Sequence, residues 1–108
     1  MIPSTDKMVV MTTTDSEELS LSIAERLIEE GEAACVNIIQ KIRSIYIWKG
    51  EVCDDTEALL IIKTRQDRLH NVIAIIEQLH DYDCPEIIAM PIIGGSARYM
   101  NWLDSCLD

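Results

Sequence analysis

The sequence predicts an α+β domain with the order β-α-β-β-α-β and one further helix at its C-terminus. Three observations predict it. Short β-branched, apolar runs alternate with two stretches of helical apolar spacing. A single hairpin, Ala33 to Thr64, is too long for a chain of 108 residues. Its strands are also apolar at consecutive positions, so both of their faces require cover.

Met8-Val9-Val10-Met11 and Thr12-Thr13-Thr14 form the first strand, expected to be buried. Asp15 is placed to cap the following helix, and Glu18 three residues on completes a capping box. Leu19, Ile23 and Leu27, with Ala24 and Ile28 beside them, make one apolar helical face. Gly31 stands where a helix end calls for a left-handed residue. The hairpin runs out through Val36, Ile38, Ile39, Ile42, Ile45, Tyr46, Ile47 and Trp48, turns at Lys49-Gly50, and returns through Val52 and Ala58 to Ile62. A strand from Ala33 to Trp48 would span about 50 Å, whereas a domain of this size is only about 35 Å across. Either the strand bends or its tip, with Trp48, reaches another subunit.

Leu69, Val72, Ile73, Ile76 and Leu79 then mark a second helix, which Pro85 keeps from extending. Glu86 to Ile93 reads as a last, central-type strand, with Pro91 tolerable only where no ladder donor is needed. After Gly94-Gly95, Ser96 caps a final helix whose expected inner face is Tyr99, Trp102, Leu103 and Cys106. This order is that of the ferredoxin-like split β-α-β fold. Right-handed crossovers put both main helices on one face of the sheet and leave the other naked. Self-association is the economical cover for it.

One domain, residues 1–108, is all that this length supports, with residues 1–6 expected as a flexible tail. Nine basic against nineteen acidic residues leave a net charge of −10, which repels phosphate backbones and argues against nucleic acid as a partner. Glu17, Glu18, Glu25, Glu29, Glu30 and Glu32 are expected on a solvated helix face. The apolar fraction of 48% and mean hydropathy of +0.09 hint at extra buried surface. No run approaches the ~18 to 20 apolar residues of a membrane span, so no membrane partner is expected. The start of the chain lacks the basic and apolar regions of a signal peptide, and a cytoplasmic protein is expected. Cys35, Cys53, Cys84 and Cys106 form no C-x-x-C pair and match no zinc framework. Cys35 and Cys106 are expected as packed thiols, and disulfides are not expected.

Ala33-Ala34-Cys35-Val36-Asn37, Ser44 to Gly50, Glu57 to Thr64, His80-x-Tyr82-x-x-Pro85-Glu86 and Tyr99-x-x-Trp102-Leu103 follow one another from Met8 to the C-terminus at spacings that resemble the CutA divalent-cation-tolerance family. The resemblance implies a ferredoxin-like homotrimer related in architecture to the PII signalling proteins, with sheet faces meeting around a threefold axis. It also implies a role in tolerance of copper and other divalent metals. Thr12 stands where some members carry a Cys proposed as a metal ligand. Leu79 stands where some carry a second His, and Asp81 where Pro is common.

His80, Cys84 and Glu86 are the candidate metal ligands, in a loop that also holds Asp81 and Asp83. Imidazole, thiolate and carboxylate together suit Cu(II) or another divalent cation. The same loop also reads as a polar helix-to-strand connection with Asp and Pro as turn formers. His70, ten residues before His80, is rotated away from it on the helix and reads as a surface residue. Met8, Met11 and Met90 read as core filler. Tyr46, Trp48, Lys63 and Tyr82, with Glu86, would converge where one hairpin meets a neighbouring loop, either as a small-ligand cleft or as interface packing. No Gly-rich phosphate loop, G-x-S-x-G elbow or H-E-x-x-H occurs, and a Cys84/His80 pair has no evident orienting group. The chain reads as a non-enzyme. Two roles follow: metal tolerance or homeostasis, or a PII-like trimeric scaffold holding a small molecule.

Overall fold

The protein is described from a computed structural model over residues 5–107. Its elements are β1 (Lys7–Thr14), α1 (Glu17–Glu29), β2 (Cys35–Trp48), β3 (Glu51–Arg65), a single 3-10 turn (Gln66–Arg68), α2 (Leu69–Leu79), β4 (Ile87–Pro91) and α3 (Ala97–Cys106). All strand pairs are antiparallel, in the order β2-β3-β1-β4. This is the predicted ferredoxin-like α+β fold with its added helix. Residues 1–4 of the expected tail lie outside the described residues. Asp6 is tied down, since its carbonyl accepts from Gln66 N at 2.7 Å.

The core sits on one face of the sheet, where Val10, Leu60 and Ile62 pack under Ile23 and Leu27 of α1 and Val72 and Ile76 of α2. Strand alternation assigns the rest. Val9, Met11 and Thr13 of β1, facing Lys63, Ile61 and Leu59 of β3, occupy the opposite face. Ile39 of β2 and Ile88 and Met90 of β4 join them there, and all three are exposed. Met11 and Met90 are therefore not core filler but part of this second face.

Helix α3 covers one end of that face. Its Asp104 bridges Lys7 Nζ at 2.9 Å and Arg65 Nη1 at 3.2 Å, both on the open-face parity. Leu103 and Leu107 are the buried side chains here, while Tyr99 and Trp102, expected inside, are more than two-fifths exposed. The Asp6 and Asp104 carboxylates raise the Lys7 ammonium above its ordinary range.

The long strand resolves its length by bending. Ile39 pairs with Leu59 and Ile42 with Glu57, so Gln40 and Lys41 stand opposite the single residue Ala58. This bulge, with Lys41 at φ 59°, kinks and twists the hairpin. The molecule still extends 44 Å along its longest axis. Beyond the bulge the hairpin is a free two-stranded arm with two distinct sides. Ile45, Ile47 and Val52 on one side are 66, 72 and 75% exposed. Tyr46 and Trp48 point to the other.

Several expectations shift by a residue or an environment. Ser16, not Asp15, caps α1: its backbone is extended and its Oγ accepts from Leu19 N at 3.1 Å. The helix starts one residue late because Thr14 Oγ1 donates to Ser16 O at 3.0 Å and meets Ser20 Oγ at 2.5 Å, pinning this turn to β1. Glu32 is not on a solvated face but buried, paired with Arg68 at 3.0 Å. The last strand is shorter than expected, and it is an edge rather than a central strand. Only there can Pro91 lack a donor without breaking a ladder on both sides.

At the arm's tip both turn residues are left-handed, Lys49 at φ 52° and Gly50 at φ 81°. This is the two-residue hairpin turn that favours Asn-Gly. A lysine in that conformation is strained by about 1 kcal/mol, and Asn less so. Lys49→Asn is therefore expected to raise stability by about 0.5–1 kcal/mol, measured as an increase in the urea midpoint at unchanged slope.

Candidate functional site

Between α2 and β4 the chain passes the C-terminal end of β1 and then runs alongside the root of the arm. His80 fixes this passage. Its side chain is fully buried. Nε2 lies 2.7 Å from the Thr13 carbonyl, and Nδ1 lies 3.2 Å from the Tyr82 backbone N–H. A carbonyl can only accept and an N–H only donate, so the ring is held as the Nε2–H tautomer. The imidazole thus ties the loop to β1 at one nitrogen and shapes it at the other. Asp81 Oδ1, at 3.6 Å from Nδ1, is too far to hydrogen-bond.

Tyr82 stacks tilted against the His80 ring, with centroids 4.7 Å apart. Its hydroxyl donates to Glu57 Oε2 at 2.6 Å. Burial first, and then that carboxylate, push the phenol pKa far above its ordinary range. Glu57 sits at the first position of β3 beyond the bulge and is only 7% exposed, although it is charged. Tyr46 donates its hydroxyl to Asp55 Oδ2, and this bond, with burial second, pushes its pKa up to about 12.

These groups enclose a cleft of about 470 Å³ between the arm and the loop. Its rings are Tyr46, Trp48 and Tyr82. Its acids are Glu57, Asp81, Asp83 and Glu86, with the exposed Cys84 thiol among them. Of the residues expected to converge between subunits, Tyr46, Trp48, Tyr82 and Glu86 already line this cleft within one chain, and the candidate ligand Cys84 is beside them. Lys63 does not line it: it has the same parity as Glu57 but lies six residues along β3 from it, paired with Val9 and Cys35 toward the other end of the sheet. His80 lies beneath the loop and not on the cleft wall. Trp48 is at the tip, as expected, but 43% exposed and turned along its own chain's cleft. Glu57 went unnoticed as a site residue because nothing in its neighbourhood in sequence distinguishes it from a solvated strand acid.

As a metal centre, this arrangement is incomplete. Among the described residues no three His, Cys, Asp or Glu side chains gather where one ion could bind. Cys84 and Glu86 are available, whereas a metal on His80 would first have to displace one of its two bonds. All four cysteines are free thiols.

Asp15 faces Asp81 at the edge of the loop. Burial, and next the Asp81 carboxylate, hold the Asp15 carboxyl above its ordinary range. A raised pKa in the folded state means that the acid form contributes stability below the unfolded value of about 3.9. That contribution is lost as pH rises through the folded value. Asp15→Asn mimics the acid form. It is expected to raise Tm relative to the parent at pH 7, with the gain shrinking to nothing below about pH 4, as followed by thermal melts across that range.

A family model described as CutA1 divalent ion tolerance protein matches residues 8–106. The chain is 46% identical over 96 residues to the chloroplastic protein CutA of Arabidopsis thaliana, covering 89% of this chain and 53% of that protein. It therefore spans about half the length of that relative. It is 45% identical over 95 residues to the divalent-cation tolerance protein CutA of Thermus thermophilus, covering 88% of this chain and 92% of that one. Among solved structures, CutA1 from Oryza sativa superposes with a TM-score of 0.92 at 41% identity, covering 97% of this chain and 96% of the other.

Proposed function

This chain belongs to the CutA1 divalent ion tolerance family, and from that premise we propose that it serves divalent-cation tolerance as a homotrimer, binding copper or a similar cation weakly near its subunit interfaces. The observation that carries the assembly is the uncovered apolar surface. Ile39, Ile88 and Met90 lie open on the sheet, and Ile45, Ile47 and Val52 lie open along the arm. Soluble monomers rarely leave contiguous apolar surface of this kind in water. A sheet face closing on two copies of itself, with each arm laid on a neighbour, would bury both. The Trp48 side of the arm would then form a wall of each cleft and its Ile47 side a contact.

The metal reading rests on the loop's donors. Cys84 and Glu86 present a soft and a hard ligand on the cleft, and His80 supplies an imidazole only if released from Thr13 or Tyr82. Waters or a neighbouring subunit must supply the rest, so binding in the micromolar range, roughly −8 kcal/mol, is expected. No reaction is assigned. Relatives are named as chloroplastic and as periplasmic proteins, so compartment varies among CutA proteins. The four free thiols favour a reducing one, which for this chain we take to be the cytoplasm. A PII-like scaffold holding a small molecule is the second reading, favoured by the enclosed aromatic cleft.

Sedimentation equilibrium at micromolar concentration is expected to return about three times the 12.2 kDa chain mass. Ile47→Asp is expected to shift the distribution toward monomer, because a charge there would be buried unpaired. A monodisperse parent monomer would contradict the assembly. Calorimetric titration with Cu(II) and Zn(II) tests the metal. Cys84→Ser and Glu86→Gln should each weaken binding tenfold or more. Parent protein that takes up neither ion at high micromolar concentration would remove the loop from the metal role.

A further inference from the structure

We propose that the cleft between the hairpin arm and the loop 81–86 binds an organic ammonium cation, with Glu57 as its counter-ion and the rings of Tyr46, Trp48 and Tyr82 as its walls. The volume of about 470 Å³ falls within the range of small-molecule sites. The lining decides the charge of the occupant. It holds four carboxylates and no lysine or arginine. A phosphate, nucleotide or carboxylate ligand would find no cation to meet it and would be repelled by a surface of net charge −10.

Glu57 provides the independent sign. A carboxylate 7% exposed needs partners for both oxygens or a neighbouring cation. Tyr82 serves Oε2, and the other oxygen, which is not cut off from solvent, is reachable from the cleft that Glu57 lines. A hydrogen-bond donor, preferably charged, approaching from the cleft would take the place of water there.

The rings then choose between kinds of cation. A hydrated metal ion would require several oxygen, nitrogen or sulfur ligands converging on one point, and these do not converge. An alkylammonium or arylalkylammonium group requires one carboxylate and the negative faces of aromatic rings, which attract a cation within about 6 Å. Trp48 already holds such a partner, because Lys49 Nζ lies 5.8 Å from its ring centroid. The proposal does not rest on the metal reading. It uses Glu57 and the rings, whereas the metal reading uses Cys84, Glu86 and His80.

The test compares three probes of one shape and different charge on the full-length chain: benzylamine, benzyl alcohol and benzoate. Affinities come from calorimetry, and the site from amide shift changes in 15N-labelled protein. Benzylamine is expected to move amides of Tyr46, Trp48, Glu57 and Tyr82 and to bind at least tenfold more tightly than benzyl alcohol, with benzoate not binding. Glu57→Gln should erase that difference. Trp48→Ala, at a half-exposed position that the fold does not need, should weaken benzylamine at least threefold, and it covers the case in which Glu57→Gln fails to fold. Benzylamine is expected still to bind, more weakly, when Zn(II) is saturating, which separates this proposal from competition for one set of metal ligands. Equal affinity for benzylamine and benzyl alcohol would overturn the proposal. So would binding of benzoate or ATP in the cleft, shifts confined to other surfaces, unchanged affinity in either variant, or one-for-one displacement of benzylamine by Zn(II).

Discussion

Strand β3 has to satisfy two surfaces at once, and the rest of the molecule is arranged around that demand. Its even residues, Ala58, Leu60, Ile62 and Thr64, go under the helices. Its odd residues, Leu59, Ile61 and Lys63, go to the opposite face, which α3 covers at one end. Period-two alternation leaves no third option. An apolar run of consecutive positions therefore leaves part of the second face uncovered within one subunit. The bulge opposite Ala58 adds to this demand. It lets the hairpin leave the body of the sheet as an arm, with one apolar side facing outward and one aromatic side turned toward the loop after α2.

The same bulge explains the cleft. Glu57 is the first residue past the discontinuity, at the junction where the arm leaves the sheet. There it is covered by Tyr82 from the loop. Loop position in turn depends on His80, whose two ring nitrogens satisfy a strand-end carbonyl and a loop N–H that would otherwise be buried without partners. Each such loss costs on the order of 1–3 kcal/mol. The imidazole therefore has a structural use that competes directly with metal binding.

The fold was legible in the residues for physical reasons that are easy to state. Helical spacing in Leu19, Ile23 and Leu27, β-branched runs, and a Gly at a left-handed position are local signals. What was not legible depends on tertiary geometry. Asp15 and Ser16 are equally good caps in isolation, and only the bonds from Thr14 to Ser16 and Ser20 choose between them. Glu32 looks like its solvated neighbours until Arg68 arrives from a distant turn. Tyr99 and Trp102 suggest an inner helix face, yet α3 buries Leu103 and Leu107 instead, since Asp104 must face Lys7 and Arg65. Site residues behaved in the same way. The aromatic and loop members were recognisable from chemistry and family resemblance, whereas Lys63 and Glu57 were decided by their places along β3 relative to the bulge.

Two kinds of cation can use one loop without using the same atoms, and this bears on how such a protein would respond to metal. A divalent ion on the proposed ligands Cys84 and Glu86 would sit on the loop's exposed side. An ammonium group at Glu57 sits deeper, against the rings. Both charges are attracted by the same cluster of acids, and each reduces the field that draws the other. Occupancy of one position therefore disfavours the other even where no ligand is shared. Linkage makes that effect reciprocal. Under the two proposals, rising metal would weaken the organic cation's hold on the cleft by a bounded factor without excluding it, unlike competition for one set of ligands.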